Sequence, residues 1–411
     1  MGRKYDRIFV HIGYFKTGTT SIQRCLSSNR ELLNEQGVFN WGVDYNFRLA
    51  FEVEPQCLEE VYIQNDVFSR EERTELKAEI LAEINKRFAE GLERGCREAV
   101  ISSEFLCYLE EDGLRKLKTW LEEWAGSIQI IFYIREHVSC ALSKRSSAAR
   151  FGNPIAQRLI NYRSDYDAML KEWRKLFAVG DIDVRIFSRE TLLNGDILDD
   201  FFSVIGVDAS KFTRDDRSNN SISEFGIEVL EVINRRVPKL LNGRWNAAYF
   251  EPGSYFEQVF PATGAMPVPE MVIADFEESY RDADEWIRQE FLPDRPRLFE
   301  PYRHKAAGDE SEKQLAVTPE QIAQLLIMMN DQMDRGRRPL AFRQADGRSV
   351  AERERDAARA KLQFIFANPW KNYSAQLDYK IHKFASKLGF LPEETRERLS
   401  KAAMKRRRFW S

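Results

Sequence analysis

Apolar and polar positions follow two different periods along the first half of this chain. Short apolar runs rich in β-branched and aromatic residues predict strands, at 7–12, 98–102, 128–134 and 182–187. Between them, apolar residues recur at helical spacing over about 18–36, 70–93, 112–124, 136–150, 164–177 and 195–206. Strands that alternate with helices predict βαβ units, and therefore an α/β fold with a parallel sheet covered on both faces.

Local signals add detail to this pattern. Ser69 precedes the charged helical segment, and Glu72 stands three residues later, which predicts a capping box. The run at 128–134 is the most continuous apolar one, as expected for a central strand. A short strand is predicted at 37–39. Because ligands bind beyond the carboxyl ends of parallel strands, the segment after the first strand is a candidate site.

The periodic pattern weakens after about residue 220. Residues 220–300 are irregular apart from a helix predicted at about 273–290. We predict a domain over 1–303, a connector with a helix over 304–350, and a helical basic C-terminal extension over 351–411. The chain ends in KRRRFWS, which is either a solvated end or a peripheral contact with anionic lipid or an acidic glycan.

The composition is that of a soluble globular protein, with 43% hydrophobic and 31% charged residues among 411. The net charge of −3 gives no indication of nucleic-acid binding. No apolar run approaches the roughly 18 residues of a membrane span, and no secretory leader is recognisable, so we predict a cytoplasmic location. Five scattered cysteines and four dispersed histidines make neither a disulfide framework nor a metal-ligand pattern.

The segment after the first strand has the layout of an anion cradle. Residues 7–20 read RIFVHIGYFKTGTT, in which an apolar run ends at Gly13 and a helical pattern begins after Gly18. The first backbone N–H groups of a helix lack intrahelical partners and point at whatever lies there. Gly18 lets the backbone approach an anion, and Lys16 adds a positive charge. The P-loop of nucleotide triphosphatases has its lysine after the last glycine, whereas Lys16 precedes Gly18.

The order K-T-G-T-T resembles the 5′-phosphosulfate loop of sulfotransferases, which use 3′-phosphoadenosine 5′-phosphosulfate (PAPS). A second motif carries the same resemblance, because the run at 128–134 leads into Arg135 and Ser143 follows eight residues later. In the family, a similar strand–Arg–x7–Ser segment holds the 3′-phosphate, and a guanidinium can place two N–H donors on one phosphate. Segments 162–206 and 276–299 also resemble bacterial members, so the resemblance covers about residues 5–303.

The resemblance implies a P-loop-like three-layer fold with a central parallel sheet. It also implies transfer of a sulfonate group from PAPS to a hydroxyl, less readily an amine, of a carbohydrate acceptor, without a metal. Lys16 matches the catalytic lysine at the bridging oxygen of the donor, where charge builds as the S–O bond breaks. The resemblance implies that the backbone of Thr17, Gly18 and Thr19, together with Thr20, binds the 5′-phosphate of PAPS. Arg135 and Ser143 are expected to bind its 3′-phosphate.

An acceptor hydroxyl needs a general base, and the family often places one just past the strand that follows the first loop. Glu104 stands there, and burial of a carboxylate raises its pKa toward neutrality. Glu104 can equally cap a helix or pair with an arginine. His11, inside the first strand, and His137, where the family usually has proline, are alternative bases.

The chain departs from the family pattern at several positions. Tyr14 and Phe15 replace a stiff proline turn, and an aromatic there can shape the acceptor site or stack on adenine. Ser21 stands where cytosolic members often have tryptophan. In place of the family's R-K-G triplet there is only a segment RSNNS at 217–221. Two other functions therefore stay open: a P-loop kinase or nucleotide hydrolase, and a non-catalytic glycan-binding member of the fold.

Overall fold

The computed structural model divides the chain into two compact units, 1–236 with 251–330 and 237–250 with 331–411. The described residues are 4–41, 47–52, 69–153, 159–214, 222–241, 244–246, 249, 253–262 and 268–302. The predicted connector at 304–350 and the predicted extension at 351–411 lie outside the described residues, as do the boundaries between them.

Five parallel strands form the sheet of the first unit, in the order β2-β3-β1-β4-β5. Their bounds are β1 Tyr5–His11, β2 Val38–Asn40, β3 Glu98–Ser102, β4 Ala125–Ile134 and β5 Ile182–Ile186. The predicted α/β fold with a central parallel sheet is confirmed. In the second unit, two short described strands, β6 Leu240–Leu241 and β7 Arg244–Trp245, pair antiparallel.

Helices connect and cover the strands. Among the described residues they are α1 Thr19–Ser28, α2 Arg30–Glu35, α3 Arg70–Glu93, α4 Glu111–Trp124, α5 His137–Arg150, α6 Tyr166–Arg174, α7 Ile197–Val204, α8 Glu224–Arg236, α9 Gly253–Val259 and α10 Glu270–Phe291. The capping box of α3 is confirmed. The N–H of Glu72 donates to Ser69 Oγ over 3.1 Å, and the N–H of Ser69 donates to Glu72 Oε2 over 2.8 Å.

The prediction of one helix over 18–36 was wrong, because the chain breaks at Asn29 into α1 and α2. The Asn29 side chain donates to the carbonyl oxygens of Cys25 and Thr213 and accepts the N–H of Thr213 at 2.8 Å. Asparagine readily leaves helical geometry when its amide bonds to nearby backbone. A partner 184 residues away completes this break, so a local pattern does not reveal it.

Side chains alternate between two hydrophobic cores along β1, as they do on any strand. Ile8 and Val10 enter a core built with residues of α3, α4 and α6, whereas Phe9 enters a core built with residues of α1 and α7. Helices therefore cover both faces of the sheet, which explains why its strands are near-continuous apolar runs.

A buried carboxylate joins β4, β5 and α7. Asp200 is 1% exposed and accepts hydrogen bonds from the Tyr133 hydroxyl, from two nitrogens of Arg185 and from the N–H of Leu193. The guanidinium binds both carboxylate oxygens, at 2.7 and 2.8 Å. These hydrogen bonds keep the pKa of Asp200 below its usual value although burial acts in the opposite direction.

The strand order creates a crevice at the carboxyl ends of β1 and β4. These strands are neighbours, but the chain leaves β1 toward β2 at one edge and leaves β4 toward β5 at the other. Where connections diverge in this way, the loops separate and open a cleft above the sheet. The segments after β1 and β4, which carry Lys16 and Arg135, meet at this position.

We expect Gly18→Ala to destabilise the protein more than Gly37→Ala. Both glycines have positive φ, 82° and 78°, so alanine costs roughly 1–2 kcal/mol at either position. A Cβ at Gly18 would also lie 2.8 Å from Ile197 and 3.1 Å from Phe187, whereas one at Gly37 meets nothing within 4 Å. Crowding adds about 1–3 kcal/mol at Gly18 alone. Urea denaturation measures the difference, and equal losses would contradict this account of the turn.

Candidate functional site

The loop between β1 and α1, residues 12–18, folds around one carbonyl oxygen. The hydroxyls of Thr17 and Thr19 both donate to the carbonyl of Tyr14, over 2.8 and 3.2 Å. Lys16 and Gly18 have positive φ, 63° and 82°, which reverses the chain into the helix. The two threonine hydroxyls thus shape the loop, and its backbone N–H groups are left to face a ligand.

The N-terminus of α1 is open, unlike those of α5 and α7. Gly18 is its N-cap, provides no capping side chain, and is followed by no acidic residue in the first turn. In contrast, Glu136 caps α5 by accepting two N–H groups at 2.8 Å, and Asp196 caps α7 in the same way. The N–H groups of Thr19 and Thr20 have no partner within α1, and the helix dipole favours an anion at this end.

Arg135 connects the end of β4 to the β1–α1 loop. Its Nη1 donates to the carbonyl of Lys16 over 3.2 Å, and its guanidinium lies 5.7 Å from the centre of the Phe187 ring. The Tyr166 hydroxyl donates to the carbonyl of Arg135 and accepts its N–H. The structure therefore brings two of the predicted site residues, Lys16 and Arg135, into direct contact and fixes the backbone of the second.

Ser143 lies about two turns into α5 and is half-buried. No hydrogen bond joins Ser143 to Arg135, although both residues are in the described part of the chain. Ser21 is exposed in the first turn of α1, and Thr20 beside it is half-buried. The RSNNS segment at 217–221 lies outside the described residues.

Glu104 begins a short 3-10 turn, Glu104–Tyr108, directly after β3. Burial raises the pKa of its carboxyl to about 7, and the nearby Lys16 ammonium acts in the opposite direction. Burial also lowers the pKa of Lys16. Arg150 and Arg135 add to this lowering, whereas Glu104 and Glu257 oppose it. The predicted lysine and the predicted carboxylate thus interact with each other at the carboxyl edge of the sheet.

His11 lies inside the core. Its Nδ1 is 2.8 Å from the hydroxyl oxygen of Ser102, its side chain is fully buried, and its ring packs against Tyr133 and Phe201. Burial lowers the pKa of His11 to about 3, so the ring is neutral at physiological pH. This position on the α1 side of the sheet does not present the ring to an acceptor.

His137 has partners on both ring nitrogens. Nδ1 lies 2.5 Å from Ser164 Oγ and Nε2 lies 2.7 Å from Asp284 Oδ1. The ring stacks on Tyr280, with 3.6 Å between ring centres and 3° between planes. These contacts tie the start of α5 to α10, which is the arrangement of a structural histidine.

Tyr14 and Phe15 pack with a lysine of α5. Tyr14 is 1% exposed, and its hydroxyl lies 3.3 Å from Lys144 Nζ. That ammonium also lies 5.4 Å from the Tyr14 ring centre and 5.8 Å from the Phe15 ring centre. The Phe15 ring contacts Tyr108 on the 3-10 turn. Phe15 therefore lies on the Glu104 side of the loop.

The site includes two charged residues that sequence reasoning missed. Arg150, at the end of α5, and Glu257, on α9, both affect the pKa of Lys16 and form an ion pair of 2.6 Å with each other. Arg150 follows Ser143 by seven residues, so helical spacing alone places both on one face of α5. Glu257 lies in the segment 220–300, where the sequence pattern is irregular, and nothing in that pattern indicates a functional residue.

Other observations bear on the chemistry. Within the described ranges, no three His, Cys, Asp or Glu side chains are grouped to hold a metal ion. None of the described helices is both long and apolar enough to cross a membrane. No protein-family model matches this chain. A search of curated proteins also finds no match.

We expect Glu104→Gln to remove part of the pH dependence of stability. The pKa of Glu104 rises from 4.5 in the unfolded chain to about 7 in the folded protein. The folded state therefore holds the proton more tightly, and the free energy of unfolding falls as pH rises through this window. The drop is at most about 3 kcal/mol.

Urea denaturation at pH 5 and pH 8 measures this effect in both proteins. The loss of stability between the two pH values is smaller in Glu104→Gln than in the wild type. Glu110→Gln is the matched control, because Glu110 lies at the end of the same segment and is exposed. A control that changes the pH dependence as much as Glu104→Gln would show that the buried position is not the cause.

Proposed function

We propose that this protein is a sulfotransferase with a P-loop-like fold, which moves a sulfonate group from PAPS to a hydroxyl, or less readily an amine, of a carbohydrate acceptor. The observation that carries the proposal is the position of Lys16 and Glu104 after the neighbouring strands β1 and β3, near enough for each charge to affect the pKa of the other. A lysine and a carboxylate with a pKa of about 7 interact at the crevice above β1, beside an open helix N-terminus. Ligands of open α/β sheets bind in such crevices.

The residues present fit an anionic donor. The open end of α1 supplies N–H groups for one phosphate, and Arg135 and Lys16 supply positive charge beside it. The hydroxyl of Ser103, next to Glu104, is buried and makes no hydrogen bond within the described residues. Such a polar group is satisfied when a polar ligand binds against it.

Lys16 acts on the leaving-group side. When bound, PAPS supplies the sulfonate group and the bridging oxygen that leaves with the 5′-phosphate. The Lys16 ammonium stabilises the negative charge that collects on that oxygen as the S–O bond breaks. Arg135 holds the carbonyl of Lys16 and so fixes the lysine backbone before the donor arrives. This positioning stabilises the transition state more than the bound substrates.

Glu104 acts on the attacking side. Its carboxylate accepts the proton of the acceptor hydroxyl while the hydroxyl oxygen forms its bond to sulfur. The electron pair of the broken S–O bond goes to the bridging oxygen, which gives the sulfate ester and adenosine 3′,5′-bisphosphate. A pKa of about 7 suits this task, because the group is ionised at neutral pH and still basic enough to take a proton.

We propose that the acceptor binds in a cavity beside the Glu104–Tyr108 turn, which is lined by aromatic rings and carboxylates. Phe15 and Tyr108 contact each other beside Glu104, and the cavity next to Tyr108 extends between the 3-10 turn and α6. Aromatic walls with a few placed polar groups are typical of small-molecule sites. The cavity lining includes Glu110, Glu111, Asp167 and Glu172. This supports a neutral glycan acceptor over a strongly anionic one.

The described cysteines support a reducing compartment such as the cytoplasm. Cys25, Cys96, Cys107 and Cys140 are free thiols and all are buried. Secreted domains more often use their cysteines in disulfides. Peripheral membrane contact through the basic C-terminus stays a prediction, because that segment lies outside the described residues.

We expect the protein to bind adenosine 3′,5′-bisphosphate with micromolar or tighter affinity, and AMP at least about tenfold more weakly. The 3′-phosphate supplies the difference, since each tenfold step corresponds to about 1.4 kcal/mol of charge-assisted contacts. Isothermal titration calorimetry of the full chain measures both affinities. Equal affinities, or no binding, would refute the donor assignment. Tighter binding of ATP in the presence of Mg²⁺ would support a phosphotransferase instead.

We expect Glu104→Gln to lower the turnover number by about 10²–10⁴-fold, the usual contribution of a general base. With PAPS and an acceptor glycoside that the wild type sulfates, release of adenosine 3′,5′-bisphosphate reports the rate. The wild-type rate rises with pH and levels off above about 7, where Glu104 has lost its proton. This rise is missing from Glu104→Gln. Glu123→Gln, an exposed position on α4 that is not part of the cavity lining, keeps wild-type rates, and near-normal turnover by Glu104→Gln would return the role of base to another group.

A further inference from the structure

One face of α5 carries a row of three polar side chains, and the proposed mechanism assigns a role only to the first of them. Ser143, Ser147 and Arg150 are spaced four and three residues apart, so they lie above one another along the helix. All three are half-buried, whereas Val138 and Ala141 on another face pack into a hydrophobic core. The row therefore begins at a predicted phosphate contact and ends at a guanidinium.

The Ser147 hydroxyl lacks a hydrogen-bond partner. Its oxygen is buried, and no hydrogen bond to it is found within the described part of the chain. A serine inside a helix usually bonds to the carbonyl oxygen one turn back, and Ser147 does not. An unpaired buried hydroxyl costs stability unless a ligand or water completes it. It stands between Ser143 and Arg150 in the row.

Arg150 is held by a carboxylate from another helix. Its Nη2 lies 2.6 Å from Glu257 Oε1, and the two side chains are only 16% and 22% exposed. Gly253 packs so closely on the Arg150 backbone that a Cβ there would lie 2.3 Å from its carbonyl oxygen. α9 thus keeps Arg150 in place and neutralises it. α5 lies against the β1–α1 loop, since Cys140 Sγ is 3.9 Å from the carbonyl oxygen of Phe15, and Ser147 follows Cys140 by seven residues on the same face of the helix. Both members of the ion pair also affect the pKa of Lys16.

We infer that Arg150 and Ser147 are further binding residues for the anionic donor, and that Glu257 occupies the Arg150 guanidinium until a phosphate or sulfonate group displaces it. This inference rests on the proposed function, because it concerns the same crevice. A guanidinium binds the planar edge of a carboxylate and the oxygens of a phosphate with the same two-pronged geometry, so one can replace the other. The displaced Glu257 is half-buried near solvent, where it can be hydrated.

The exchange sets the apparent affinity. While Glu257 holds Arg150, only a fraction of the protein presents that guanidinium to a ligand, and the measured dissociation constant rises by the inverse of this fraction. Loss of Arg150 therefore weakens anion binding, whereas loss of the Glu257 charge strengthens it. A pair that served only to stabilise the fold would not produce opposite effects.

Calorimetric titration with adenosine 3′,5′-bisphosphate tests the inference in full-length variants. We expect Arg150→Gln to weaken binding at least about tenfold and Glu257→Gln to strengthen it about threefold or more. Arg150→Gln with a dissociation constant within twofold of the wild type would overturn the inference, as would weaker binding by Glu257→Gln. If Arg150→Gln does not fold, the double variant Arg150→Gln/Glu257→Gln removes both charges and is expected to bind about tenfold more weakly than Glu257→Gln.

The same helix offers a matched control. Arg145 forms an ion pair of 2.7 Å with Glu224 on α8, so it repeats the arrangement of Arg150 and Glu257 on another face of α5. Arg145→Gln and Glu224→Gln are expected to bind within twofold of the wild type. An effect of Arg145→Gln as large as that of Arg150→Gln would show that general charge, and not the local contact, controls affinity.

A second probe separates this inference from the donor assignment. Inorganic sulfate, added at constant ionic strength, is expected to raise the melting temperature of the wild type and of Arg145→Gln, and to raise that of Arg150→Gln less. This result supports the Arg150 site even if adenosine 3′,5′-bisphosphate fails to bind, a failure that would refute only the donor. Equal shifts in all three proteins would overturn the role of Arg150.

Discussion

The site depends on two opposite charges that are half-buried near each other, the ammonium of Lys16 and the carboxylate of Glu104. Neither would be stable there alone, because moving an unpaired charge out of water costs several kcal/mol. Burial lowers the pKa of the lysine and raises that of the acid, while each group moderates the shift of the other. In the proposed reaction, the raised pKa of Glu104 suits proton transfer. The strand order provides the place, because β1 and β3 are neighbours and the two residues follow the carboxyl ends of these strands.

The loop that carries Lys16 is rigid without a proline. Two threonine hydroxyls share the Tyr14 carbonyl, and the guanidinium of Arg135 holds the carbonyl of Lys16. Lys144 lies near both Tyr14 and Phe15, with its ammonium against their rings. Contacts of a cation with aromatic faces contribute about 0.5–2 kcal/mol, more when water is excluded. Packing thus restricts the conformation of this loop, as the covalent ring of proline does in the sequences that this loop resembles.

The spacing of apolar residues was enough to predict the sheet and most of its helices, because buried parallel strands require continuous apolar runs. Local capping chemistry predicted the start of α3, where Ser69 and Glu72 form a capping box. The same reasoning predicted the residues at the ends of β1 and β4, because parallel strands bring their carboxyl ends together. It failed at Asn29, where a partner distant in sequence breaks the helix. It also missed Glu257, which reaches the crevice only through tertiary packing of α9. What is encoded locally was predictable, and what depends on distant contacts was not.

The protein places its own carboxylates on most of the positive groups that an anionic ligand would use. Glu136 caps α5, Glu257 holds Arg150, and Glu104 lies near Lys16, whereas the first turn of α1 has no acidic residue. An anion can therefore enter at α1 without displacing anything, but must compete with a carboxylate at Arg150. A ligand with a single anionic group gains only the first contact. A ligand with two such groups gains both, because binding at α1 raises the local concentration of its second group beside Arg150. For the proposed function, selection for a donor with two anionic groups then follows from the order in which the positive groups become available.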